Sequence, residues 1–398
     1  MRRDKRHHIE NFRGQASFGR PSATEEYEMR ALADLQKAMD LAFGLCEPDG
    51  RIRSFETFRD LYVFYTGDRG LTGVFDPRGL PDELRGVAAI NSTTFPYAMA
   101  NSLNRFLSIG YNKINYFEDV LISQQAPIKD LRPGSFIQLG FWQDLPVIDP
   151  EAEDYPDMAD LEESKNDITP IQRGCVIPIS RKVIVNDDIQ LMAKLMERAG
   201  QVGRKTHARY VWGKWIDNAT CADETAWFTS GHGNLGSGAM SISTVTAAVT
   251  ALANMTEQGP STDKLGLDLS NFKWHLIAPV GMWTDAISIN QMKSYYSSND
   301  LTSKTINPCC NLFGARNERI ATPPFLSDAN DWGVVRSPAE VPIIEMQYVD
   351  GNVEPAIDLF IDPYADTAIK ADWFGLKVNH EYAGEVMDYR GGYKAVVT

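Results

Sequence analysis

Apolar side chains recur at steps of three and four over residues 22–46, at Met29, Leu32, Met39 and Phe43, with Gln36 as the one polar break. Ser22 and Glu25 have capping-box spacing, so the pattern predicts a helix there. A shorter helix fits 54–65, where Phe55, Phe58, Tyr62 and Tyr65 share a side until Gly67, Gly70, Gly73 and Pro77 break the period. A third fits 96–108, entered through Thr94 with Pro96 near its first turn. The clearest pattern covers 186–217. Asn186, Asp187 and Asp188 supply an N-cap and negative charge at the positive end of the helix dipole. Ile189, Met192, Met196, Ala199, Gly203, His207, Tyr210 and Lys214 trace one stripe, which Leu191, Leu195, Val202 and Trp215 widen. At 1.5 Å per residue such a helix spans about 45 Å, enough to cross a domain.

Residues 128–182 have a different character. Pro127, Pro133, Pro146, Pro150, Pro156, Pro170 and Pro178 punctuate this part of the chain. Two apolar, strand-like runs, Phe136–Leu145 and Ile171–Ile179, flank an acidic tract from Asp149 to Asp167 that holds nine carboxylates and only Lys165 as counter-charge. Two strands joined by a long excursion make a projecting arm. Such an arm has too little surface of its own to bury and needs a partner to lie against. Beyond the long helix come a glycine-rich stretch at 219–238, an Ala/Val/Thr-rich helix at 243–256, a buried strand Trp274–Ala278 and a short helix at 281–290. Residues 294–333 read as irregular. Ile343–Val349, Leu376–Val378 and Lys394–Val397 read as strands, with Asp350-Gly351 as a hairpin turn. Strands, then helices, then strands again indicate an α+β fold.

Composition narrows the class. With 398 residues, 43% hydrophobic and 23% charged, the chain can fill one large core or two moderate ones. No apolar run is long enough to predict a membrane span. The start, MRRDKRHHIENFRGQ, lacks an apolar h-region, so no secretory signal is expected. The net charge of −14 argues against a body that grips duplex DNA. Arg2, Arg3, Lys5, Arg6, Arg13 and Arg20 cluster in a basic tail that either touches nucleic acid or an acidic neighbour, or is simply solvated. Five cysteines at no zinc or redox spacing read as reduced thiols.

Candidate chemistry is thin. Gly231-His232-Gly233-Asn234-Leu235-Gly236 fits G-x-G-x-x-G, but the next helix starts too late for the loop to cradle a pyrophosphate. The acidic tract has Asp154 where a calcium loop needs glycine, so it reads as a solvated tip. The six histidines are scattered. His207 has no second ligand at metal spacing and reads as a packing or surface residue, and His232 alone sits in a loop with polar neighbours. No catalytic residue, metal or cofactor is assigned.

Four runs resemble the major head protein of Mu-type tailed phages: Ile90–Pro96 followed by Leu103, Phe106 and Tyr111; Ile179–Ile189, an I-S-R-x-x-I-V-N-D-D run opening the long helix; Trp227–Asn234 with Ser241; and Phe374–His380 leading to Met387–Lys394. The resemblance covers about residues 90–398. It implies the Hong Kong 97-type capsid fold, with an N-terminal arm or extension at 1–89 and peripheral-domain parts at 90–127 and 340–398. The E-loop would occupy 128–182, the spine helix 183–217 and the axial domain 218–339. The first 89 residues and the acidic E-loop tip are longer than that family leads one to expect.

The implied role is a major capsid protein, not an enzyme, that self-assembles as hexamers and pentamers into an icosahedral head around double-stranded DNA. Portal, scaffold and decoration proteins would be its other partners. The packaged DNA would be contacted weakly and no membrane at all. The protein would be assembled in the bacterial cytoplasm and reside in the virion capsid. Phe141, Trp142 and Lys165 on the arm are the candidate inter-subunit contacts. Two other readings are a nanocompartment shell of the same fold around protein cargo, and a soluble enzyme using the Gly231–Gly236 loop.

Overall fold

The computed structural model describes residues 23–48, 57–70, 75–85, 94–139, 163–180, 189–257, 264–265, 273–297, 300–339, 341–360 and 373–397, with single positions 50, 52, 53, 55 and 87. The chain divides into two compact units. One comprises 1–106, 176–196 and 357–377, the other 107–175, 197–356 and 378–398.

The first unit is built on three helices, α1 (Ala23–Ala42), α2 (Phe58–Thr66) and the first two thirds of α3 (Thr94–Asn112). The Thr57 side chain caps α2 by accepting from the Asp60 amide, and Gly67 ends it in the left-handed conformation. Leu35, Ala38 and Met39 of α1 are buried with Phe58, Leu61, Phe95 and Leu103. Aromatic rings interlock there: Phe43 meets Phe58 at 6.0 Å, and Tyr62 meets Phe95 edge-on at 5.2 Å. The polar break in α1 has a reason. Gln36 Nε2 donates to Ser102 Oγ at 3.0 Å and to Asp40 Oδ1 at 3.1 Å, and buried Asp40 pairs with Arg105. The predicted stripe needs one correction, since Met29 and Leu32 lie exposed at its N-terminal end.

The described strands form two five-stranded sheets and two two-stranded hairpins, most of them in the second unit. The strands are β1 (Ile122–Ile128), β2 (Gly134–Leu139), β3 (Glu163–Ile168), β4 (Ile171–Ser180), β5 (Leu235–Gly236), β6 (Trp274–Ile277), β7 (Ser294–Ser297), β8 (Asp300–Ile306), β9 (Ile320–Ala321), β10 (Trp332–Arg336), β11 (Ile344–Val349), β12 (Ala356–Phe360), β13 (Trp373–Val386) and β14 (Gly392–Ala395). The first sheet runs β1-β11-β13, with β1 parallel and β13 antiparallel to β11; β12 and β4 also pair with β13. Helix α4 (Ile189–Ile216) lays Ala208, Val211, Trp212 and Trp215 against Leu121, Ile344, Met346 and Val386. The second sheet runs β5-β14-β10-β6-β9. Helix α5 (Ile242–Ala253), capped by a Ser241–Thr244 capping box, covers it with Val245, Ala248 and Leu252. Helix α6 (Trp283–Gln291) adds Ala286 and Ile289 to that core.

Four expectations change. Leu191, Leu195 and Val202 do not widen the buried stripe of α4; they are 47%, 39% and 56% exposed on another face. The return strand of the arm is β3, inside the acidic tract, while β4 joins the sheet through β13. Hydrophobic alternation could not show β3, because Glu-Ser-Lys-Asn-Asp-Ile is held by ladder bonds and not by an apolar face. Part of the stretch read as irregular is the β7–β8 hairpin, with β9 and the start of β10 beyond it. Asp350 and Gly351 do adopt positive φ, but β13 lies between the two strands that their turn joins.

Candidate functional site

The arm begins where β1 leaves the sheet. Its strands β2 and β3 pair antiparallel from Gly134↔Ile168 to Leu139↔Glu163, which sets Ile137 opposite Lys165. Ile168 is fully buried at the root, and Asn166 Nδ2 donates to the Val386 carbonyl at 3.2 Å. Ser135 Oγ donates to Asp167 Oδ1 at 2.6 Å on the exposed ribbon. The ribbon is therefore anchored at one end, and among the described residues it has two strands, too few to be stable without a further surface. Phe141, Trp142 and the acidic tip before Glu163 lie outside the described residues, and of the three predicted contacts only the backbone position of Lys165 is on view.

Other apolar surface is left uncovered. On β4, Ile171 is 52% and Val176 56% exposed. On the β7–β8 hairpin, Tyr296 is 52% and Ile306 80% exposed; among the described strands β7 pairs with β8 alone. These side chains gave no periodic signal in the sequence, and only the fold shows them exposed among the described residues.

The loop that tempted as a phosphate cradle is a brace. Asn234, fully buried, donates from Nδ2 to the carbonyls of Trp227, Tyr389 and Gly392 at 2.8–3.2 Å and accepts from the Thr229 amide at 3.1 Å. His232 stacks on Tyr389 with ring centroids 3.8 Å apart. Its Nδ1 lies 3.1 Å from the Trp227 carbonyl and its Nε2 2.9 Å from Asp223 Oδ2. Both ring nitrogens are engaged, so neither is left to serve as a base. Helix α5 begins at Ile242, six residues beyond the loop.

A carboxylate–imidazole–hydroxyl line does exist, beneath α4. Glu118 is fully buried, its Oε1 2.5 Å from Arg204 Nε and 3.6 Å from His207 Nδ1, and His207 Nε2 lies 2.9 Å from the Tyr348 hydroxyl. Burial drives the Tyr348 hydroxyl far above the ordinary phenol range, so it keeps its proton. His207 is 2% and Tyr348 1% exposed, which closes the line to any substrate. Among the described residues, no group of three His, Cys, Asp or Glu side chains could hold a metal ion.

Residues 165–395 match the sequence profile of the family described as phage capsid protein. No curated protein matches the chain in sequence. Among solved structures, the chain is similar to the capsid of a native GTA particle, with 12% identity over 72% of this chain and 92% of that one and a TM-score of 0.45. It is also similar to a chain of Mycobacterium phage Patience (11% identity, 78% and 89% covered, TM-score 0.44) and to the virus-like particle from Pyrococcus furiosus (12%, 74% and 97%, TM-score 0.38). Likenesses that distant add nothing to the assignment, which rests on the profile and on the order of arm, long helix and paired sheets. The chain has an α+β fold and belongs to the phage capsid protein family.

Proposed function

We propose that this capsid protein builds the icosahedral head of a Mu-type tailed phage from hexamers and pentamers of itself, without catalysing a reaction. The observation that carries this is the arm. Its ribbon is rooted by Ile168 and Asn166 and offers two strands that the described residues leave without a third layer. In a closed lattice each copy supplies the surface another lacks, and individually weak contacts sum over all sides of the subunit.

Phe141 and Trp142 are the proposed anchors of the arm on the neighbouring copy, and Lys165 the proposed polar contact beside them. Portal, scaffold and decoration proteins are the proposed further partners, with assembly in the bacterial cytoplasm. Residues 1–89, 90–127, 128–182, 183–217, 218–339 and 340–398 are the proposed arm, peripheral, E-loop, spine, axial and returning peripheral segments. None of the described helices is long and apolar enough to cross a membrane.

Negative-stain microscopy of the expressed chain tests the reading. Closed shells of uniform size are expected. A stable monomer at high concentration would end it.

A further inference from the structure

Within the second unit, His380 of β13 lies beneath α4 and is 7% exposed. Its Nε2 lies 3.0 Å from the Val353 carbonyl, which can only accept, so that nitrogen carries the hydrogen. Its ring faces His207 of α4 at 6.0 Å, nearly parallel, with Tyr382 of its own strand at 4.5 Å. Tyr348 of β11 and Tyr111 of α3 close the remaining sides at 6.2 and 6.0 Å.

The charges nearby do not favour a proton here. Arg173 of β4 stacks on Tyr382 at 4.4 Å and brings a cation to the site. Arg204 of α4, above Tyr111, is a second cation. The carboxylates of this region are committed elsewhere. Glu118 and Asp119, on the turn before β1, pair with Arg204 at 2.5 and 3.2 Å. Glu354, beside Val353, accepts from Ser108 at 2.5 Å and Asn112 at 3.0 Å. A proton added to His380 would therefore sit buried among phenol rings and cations with no anion of its own.

We propose that the His380–His207 stack is an acid-released latch that holds the middle of α4 on β11 and β13 at neutral pH and opens it locally when the medium turns acid. The direction follows from linkage. Burial, then His207, push His380 down to about 3, so the closed form stays neutral while the opened, solvated ring takes a proton below its ordinary value of 6.5. The latch is fully closed above pH 6.5 and loosens steadily as the pH falls toward 3. At pH 5 the proton favours the open form by a factor of about 30, the tenfold-per-unit gain over the 1.5 units below 6.5.

Hydrogen–deuterium exchange on the full-length chain tests this at pH 7 and pH 5, after correction for intrinsic exchange rates. Opening of peptides covering 203–212 and 378–386 is expected to rise by about 30-fold at the lower pH. In His380→Gln, which cannot take the proton, the same peptides should open equally at both values. Equal protection of the wild type at pH 7 and pH 5 would overturn the proposal even if the variant failed to fold. So would a pH response retained in a folded His380→Gln.

Discussion

A single side chain can hold a loop that no regular structure supports, and Asn234 does so with four hydrogen bonds spent inside the protein. Asn234→Ala would take one donor from each of three carbonyls and leave the Thr229 amide without its acceptor. It is expected to lower stability by about 2–4 kcal/mol, read from urea unfolding midpoints. Asn234→Asp should not restore it, because a carboxylate cannot donate to the three carbonyls. His275 on β6 makes a different prediction. Burial, then Arg319 and Lys273, push it down to about 4 from 6.5. It is neutral in the fold, so its contribution is complete above pH 6.5 and is lost as the pH falls through 4. The slope is about 1.4 kcal/mol per pH unit in that window. Unfolding midpoints at pH 7, 6 and 5 should fall accordingly, and less steeply in His275→Gln. The sequence placed His207 only as packing or surface and left His275 and His380 without a role, because a histidine's surroundings come from strands and helices remote along the chain.

At the scale of elements, α3 and α4 touch backbone to backbone within the second unit. A Cβ on Gly110 would overlap the Glu197 carbonyl, and one on Gly200 would overlap the Leu107 carbonyl. Gly110→Ala and Gly200→Ala should each cost about 1–3 kcal/mol, and the double variant less than their sum, since one displacement relieves both clashes. Thermal unfolding of the four proteins reads this out. Helix periodicity located both helices, yet neither glycine stood out, because the close approach is a property of the pair. The arm yields the opposite lesson. Prolines and acidity marked it plainly in the sequence, while its return strand β3 was hidden by polar composition. If Phe141 and Trp142 anchor a neighbour, Phe141→Ala with Trp142→Ala should abolish shells and leave a folded subunit with unchanged far-UV circular dichroism. Shells formed normally by that variant would remove the two residues from the interface.

For the whole molecule, the charge of −14 sets how a shell treats its contents. A wall without a net basic surface releases few counterions from DNA, so assembled particles should retain little duplex in a filter-binding assay at physiological salt. Tight, salt-sensitive retention would show that the basic residues before Arg20 dominate over the body. The helical periods, the proline-marked arm and the α+β order were all legible in the sequence, because each depends on residues close together in the chain. Which apolar faces stay open was not. Leu191 and Val202 read as core from periodicity and proved exposed, whereas polar Gln36 and Asn234 proved to be internal braces. Periodicity reports that a face is apolar, but burial depends on what the remainder of the chain brings against it, and that is settled only when the sheets and helices close around their cores.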